Sequence, residues 1–128
     1  MRFVVTGGAG FVGSHLVKLL LENDHDVIVI DNLHTGKREN LGSVIDKIEF
    51  QELDIRNHES MKNILKNIDG VFHQAALTVV QDSFSNPKEY HDVNVQGTEN
   101  IFRLSIENKF KVVYASSSSV YGHKQKMP

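Results

Sequence analysis

Cysteine and tryptophan are absent from this sequence, and proline occurs only twice in its 128 residues. Without cysteine there is neither a disulfide framework nor a thiolate metal site, and the composition fits a reducing compartment, with the cytoplasm as the expected location. An excess of one charge sign is also lacking: 14 Lys and Arg against 16 Asp and Glu give a net charge of -2. No basic surplus exists to neutralise phosphates, so neither nucleic acid nor an anionic membrane is an expected partner. Long apolar runs are missing too. Phe3-Val4-Val5 breaks off at Thr6-Gly7-Gly8, and no stretch approaches the ~20 apolar residues that span a bilayer. The seven histidines, His15, His25, His34, His58, His73, His91 and His123, form no pair at close helical spacing, so no metal site is expected. His73 is expected to bond within its own segment.

What is present is an alternation of strand-length apolar runs with helix-period segments: Arg2–Thr6, Val12–Leu21, Val27–Asp31, Ile48–Glu52, Met61–Ile68, Val71–His73, Pro87–Asn108 and Lys111–Ser116. Runs such as Val27-Ile28-Val29-Ile30 are apolar without interruption, as strands are when helices cover both faces of a parallel sheet. Right-handed crossovers then give an α/β fold, a doubly wound parallel sheet with expected strand order 3-2-1-4-5. Asn86-Pro87-Lys88-Glu89 reads as an N-cap, a first-position proline and a capping-box carboxylate, opening one long helix to Asn108. Within it Gly97 stands where a neighbour could approach closely, and Met61, Ile64, Leu65 and Ile68 mark the preceding helix. The polar loop His34–Ser43 is expected near the adenosine end of any bound nucleotide.

Thr6-Gly7-Gly8-Ala9-Gly10-Phe11-Val12-Gly13 follows the first strand directly and opens the first helix. In that context Gly7 serves the tight turn, Gly10 removes a side chain that would block a pyrophosphate, and Gly13 lets the helix pack closely on the sheet. The helix N-terminus at Phe11 and Val12 adds roughly half a positive charge. Asp31 closes the second strand 18 residues after Gly13, about the spacing at which a carboxylate meets the ribose hydroxyls and repels a 2′-phosphate. NAD is therefore the expected cofactor rather than NADP, with Lys37 and Arg38 as surface charges. Asp31 could alternatively be a strand-end cap.

From Thr6 to Leu16 the sequence resembles the extended short-chain dehydrogenase/reductase family, in its NAD-dependent epimerase/dehydratase branch. Asp31-Asn32-Leu33, Leu53-Asp54-Ile55, Phe72-His73-Gln74-Ala75-Ala76, Asn94-Val95, Gly97-Thr98 and Ser116-Ser117-Ser118-Ser119-Val120-Tyr121-Gly122 are similar to that family's successive signatures, in its order. The resemblance implies a Rossmann domain over 1–128 that holds NAD and belongs to a nucleotide-sugar epimerase, with UDP-glucose/UDP-galactose as the expected substrate pair. It further implies that Asn32 lies beside Asp31 at the cofactor. Asp54 would meet the adenine amino group and Ile55 its face, although Asp54 could simply cap a helix. Gln74, Ala75 and Ala76 would run along the cofactor. Thr78 departs from the lysine that some sugar epimerases carry there. Asn94 would tie backbone near the fourth and fifth strands, or else bond locally within its helix.

The same resemblance selects Ser117 among the four serines as the catalytic hydroxyl. It also implies a Tyr-x-x-x-Lys pair and a substrate-binding part beyond these residues: none of Tyr90, Tyr114 and Tyr121 has lysine at the fourth following position. These 128 residues alone are expected not to turn over substrate, and a non-catalytic NAD-binding module is the competing reading. A dehydratase is less favoured, because Ser117-Ser118-Ser119 replaces the Thr-Asp-Glu of those enzymes. An uncovered sheet flank implies self-association.

Overall fold

A computed structural model of the chain describes residues 1–122; His123, which carries no assigned chemistry, lies outside them. Strands β1 (Arg2–Thr6), β2 (Asp26–Asp31), β3 (Glu49–Glu52), β4 (Gly70–His73) and β5 (Lys111–Tyr114) form one sheet in the order β3-β2-β1-β4-β5. All four neighbouring pairs are parallel, with Val4 opposite Ile28 on one side and Val71 on the other. The expected strand order is the observed one. It divides the core by the two-residue period of a strand. Val4, Ile28, Ile30 and Val71 face one cluster with Met61, Ile101 and Leu104, whereas Val5, Val27 and Val29 face another with Val17 and Leu20.

The first face is covered by α2 (His58–Ile64) and α5 (Thr98–Asn108), the second by α1 (Phe11–Glu22). Helix α2 starts earlier than its apolar periodicity indicated, because the Asn57 side chain caps it by accepting the Ser60 N–H at 3.1 Å. Ile68 lies beyond its end, after Asn67 turns the chain with φ 55°. The expected single helix from Pro87 is instead three consecutive pieces: α4 (Pro87–His91), a π turn (Asp92–Gly97) and α5. Asn86 makes no side-chain cap bond there; its backbone N–H closes the preceding α3 (Val80–Ser85) on the Asp82 carbonyl. Widening at the π turn lets the helix change register beside β4, a feature that recurs at functional sites. Gly97 falls at its end, and Ile55 is the neighbour that approaches: a β-carbon on Gly97 would stand 2.6 Å from the Ile55 Cδ1.

All five strands point their C-terminal ends to one edge, and parallel sheets of this kind place ligands there, where the crossovers part between β1 and β4. Among the described residues no helix is long and apolar enough to cross a membrane.

Candidate functional site

Two adjoining clefts run along that edge and share the glycine loop and Gln74–Leu77 as their common wall. The smaller is lined at its far end by Asp31, Asn32, Asp54 and Arg56; the larger, about 600 Å³, extends past Phe11 and Val12 to Ser116 and Ser117. Together they form a groove in the size range of small-molecule sites.

The four loop glycines have four different jobs. Gly7 turns the chain at φ +68°, and a β-carbon there would stand 2.7 Å from the Ala75 nitrogen. Gly10 has only the Gly7 carbonyl oxygen nearby, at 3.1 Å, and otherwise opens onto both clefts. The expectation for Gly13 needs correction: a β-carbon there would strike the Gly7 carbonyl and stand 2.8 Å from the Gly8 Cα, so it seats α1 on the loop rather than on the sheet. Contact with the sheet belongs to Gly8, whose β-carbon would meet Val29 Cγ1 at 2.7 Å; the motif's spacing gave no reason to single it out. No side chain caps the first turn of α1 and no acidic residue lies in it, so its N–H groups and positive end remain turned to the cleft.

At the other end, Asp31 is buried and accepts the Ala9 N–H at 2.9 Å and the Leu33 N–H at 2.8 Å. It thus fastens the glycine loop to β2 while each carboxylate oxygen keeps a free lone pair. Gly36 lies over it so closely that a β-carbon would be 2.8 Å from Oδ1. Asn32 accepts the His34 N–H and donates to Asp54 at 3.1 Å. Asp54 also accepts from the Arg56 N–H and Nε on one oxygen and from Nη2 on the other. Four donors fill its acceptor positions, and the Arg56 hydrogen bond holds its pKa down at about 2. An adenine amino group would reach this carboxylate only by displacing a donor. Ile55 is buried, with its side chain under Gly97. Arg38 is engaged by Glu52 at 3.0 Å and lies over the Phe50 ring, which leaves it a structural surface cation.

Gln74 and Ala75 continue β4 by donating their N–H groups to the Thr6 carbonyl and hydroxyl; Ala76 follows, exposed in the cleft wall. Asn94, in the π turn, does not bond locally: its side chain takes both the N–H and the carbonyl of Leu77, at 2.8 and 2.9 Å. Thr78 lines the larger cleft. Ser117 caps the short 3₁₀ turn Ser118–Tyr121 by accepting the Ser119 N–H, and lies on the cleft wall with its hydroxyl exposed. Among the described residues no group of three or more acidic or histidine side chains could hold a metal. His73 departs from expectation. It is buried, and its partners, Thr6 and Thr98, lie 67 and 25 residues away.

Residues 3–128 match the NAD dependent epimerase/dehydratase family. The chain belongs to this family. A UDP-glucose 4-epimerase of Lacticaseibacillus casei is 38% identical over 133 residues, covering all of this chain and 39% of that protein. A UDP-N-acetyl-alpha-D-glucosaminuronate decarboxylase of Bacillus cytotoxicus is 36% identical, covering 94% of this chain and 38% of its own length. Among solved structures, the UDP-glucose 4-epimerase of Thermotoga maritima with UDP-glucose superimposes with a TM-score of 0.92 at 38% identity, over 99% of this chain and 41% of that one. The Bifidobacterium longum UDP-glucose 4-epimerase in complex with NAD+ and UDP does so with 0.90 at 31% identity, over 100% of this chain and 40% of that one. The chain therefore spans about two fifths of the length of these relatives. Members of the epimerase/dehydratase family depend on NAD, and the open space at Gly10 beside an uncapped helix N-terminus fits a pyrophosphate.

Proposed function

We propose that the chain is the NAD-binding portion of a nucleotide-sugar epimerase acting, in the complete enzyme, on UDP-glucose/UDP-galactose through transient oxidation at the sugar C4. The observation that carries this reading is the continuous groove from Asp31, over the glycine loop, to Ser117. Bound NAD supplies the hydride acceptor. Asp31, with one lone pair free on each oxygen, accepts from the adenosine ribose hydroxyls, and Asn32 borders the same end. Gly10, Phe11 and Val12 present the pyrophosphate with space and backbone donors. Gln74, Ala75 and Ala76 lie along the cofactor, Ile55 backs the adenine end, and Asp54 orders it through Arg56 and Asn32. Asn94 positions Leu77, and Ser117 hydrogen-bonds the reacting sugar oxygen.

A non-catalytic NAD-binding module is the second reading. It needs only the groove, and these residues by themselves supply no Tyr-x-x-x-Lys pair: Tyr90, Tyr114 and Tyr121 are followed at the fourth position by Asn94, Ser118 and Gln125. Another nucleotide-sugar transformation of the same family, such as decarboxylation or dehydration, shares the groove and differs in the sugar chemistry.

Calorimetric titration of cofactor-free protein with NAD and NADP tests the reading. Saturable binding that prefers NAD is expected, and Asp31→Ala is expected to weaken it by at least about tenfold, or ~1.4 kcal/mol. Because Asp31 also holds the Ala9 and Leu33 N–H groups, thermal unfolding of the variant is followed alongside. No binding by the folded wild-type chain rejects the proposal. Turnover of a UDP-hexose by these 128 residues alone would reject the tyrosine argument.

Apolar side chains stand exposed on the β5 side of the molecule: Phe102, Ile106, Val113 and Tyr114. Phe102 and Tyr114 lie together, with ring centroids 6.1 Å apart, and Val113 is exposed on the other face of the same edge strand; exposed apolar surface drives association. Light scattering is expected to give a mass above 14.4 kDa at high concentration; a strictly monomeric mass counts against the patch.

A further inference from the structure

His73 ends β4 at the centre of the C-terminal edge, and every polar atom it carries is engaged. Its Nδ1 lies 2.6 Å from the Thr6 hydroxyl and its Nε2 lies 2.9 Å from the Thr98 hydroxyl. The Thr98 hydroxyl donates its single proton to the Asn94 carbonyl at 2.8 Å. It can therefore only accept from the imidazole, which places the ring proton on Nε2. Nδ1 is then an acceptor and the Thr6 hydroxyl its donor, while the Thr6 oxygen accepts the Ala75 N–H at 3.3 Å. All the protons point one way along this chain: Ala75 to Thr6 to His73 to Thr98 to Asn94.

The chain also closes on itself. It starts at the Ala75 N–H and ends at the Asn94 carbonyl, and the Asn94 side chain grips the N–H and carbonyl of Leu77. The segment Ala75–Leu77, the shared wall of both clefts, is thus fastened at its two ends by one network that passes through the end of β1, the end of β4 and the π turn. We propose that His73, locked as the neutral Nε2–H tautomer between Thr6 and Thr98, is a positioning residue that sets the Ala75–Leu77 backbone against the glycine loop. No other small change preserves this. Phenylalanine would fill the space but leave the Thr6 hydroxyl proton without its acceptor and Thr98 without the ring donor, and asparagine is too short to bridge both. Among the described residues the titratable side chain facing the ring from a packed element is Tyr114 of β5, stacked at 5.9 Å; no ion pair reaches the imidazole among them, and burial alone lowers its pKa, to about 4.

The consequence for cofactor affinity rests on the NAD reading above; the network itself does not. Nitrogen NMR of the wild-type chain at neutral pH is expected to show His73 Nε2 protonated and Nδ1 bare. A proton on Nδ1 overturns the proposal. Thr98→Val removes the acceptor at nearly constant volume and is expected to speed amide exchange at Ala75 and Leu77 about tenfold and to weaken NAD binding by a similar factor. Thr98→Ser is expected to restore both. Unchanged exchange in Thr98→Val also overturns it; if that variant does not fold, the tautomer read on the wild type decides. If the wild-type chain binds no NAD, the functional reading fails, while tautomer and exchange still decide the network.

Discussion

Alanine at Gly13 is expected to destabilise the fold, and alanine at Gly10 to leave the fold and remove the binding of NAD. Both positions belong to one loop and both substitutions add one methyl group, yet the surroundings differ. At Gly13 the added carbon meets backbone, the Gly7 carbonyl and the Gly8 Cα, which cannot swing aside as a side-chain end can. In an ordinary helix glycine-to-alanine stabilises by about 1 kcal/mol; here overpacking of about 3 kcal/mol reverses the sign. A fall in Tm of roughly 10 °C should follow for a chain of this length. At Gly10 the added carbon meets only the Gly7 carbonyl oxygen at 3.1 Å and otherwise occupies cleft space. Its effect is then on the ligand, about 100-fold in Kd or ~2.7 kcal/mol, with Tm nearly unchanged. Thermal unfolding and calorimetric titration of the two variants separate these effects. An unchanged Tm for Gly13→Ala, or unchanged affinity for Gly10→Ala, would show the loop's parts to be wrongly assigned.

Acid is expected to destabilise the protein well above the range in which carboxylates protonate. His73 is held neutral by burial, its pKa lowered from 6.5 to about 4. The unfolded chain takes up a proton there below pH 6.5 and the folded chain does not, so stability is intact above that value. It is lost progressively as pH falls toward 4, at up to about 1.4 kcal/mol per pH unit, about 3 kcal/mol in all. Below pH 4 the folded state protonates too and this loss ceases. Asp54, lowered from 3.8 to about 2 by Arg56, acts in a separate and lower window: its contribution is present above 3.8 and is lost as pH falls through 2. Urea unfolding at pH 7.5 and 4.5 should therefore show a marked drop in the wild type and a smaller drop in His73→Gln, whatever that variant's absolute stability. Equal pH dependence in the two proteins would mean that another group governs the acid limb. Protonation also places a second donor on the ring opposite Thr6, forcing that hydroxyl to turn away from it, so the same titration opens the Ala75–Leu77 network.

Several features of the protein could be read in one dimension because their physical cause is local. Uninterrupted apolar runs specify strands buried on both faces, and their alternation with helical periods indicates a parallel sheet. The turn at Gly7 and the open position at Gly10 follow from what any strand-to-helix phosphate loop requires. The positions of Asp31 and Gln74 along the groove follow from the strand ends that carry them, whereas Ser117 was singled out by the family resemblance.

Tertiary structure alone decided the partners. Which donor reaches which acceptor depends on chain segments brought together across the sheet, and sequence spacing is silent about that. Asp54 looked free to receive an adenine until Arg56 and Asn32 took its lone pairs. His73 looked local until Thr6 and Thr98 closed on it. Gly13 met the loop where the sheet was expected, and Gly8 took the sheet contact, because a glycine's purpose lies in the atom it lets approach. The π turn left no mark in the periodicity of 87–108. A helix of that kind is held by packing beside β4 and by the Asn94 clamp on Leu77, and both exist only once the chain has folded.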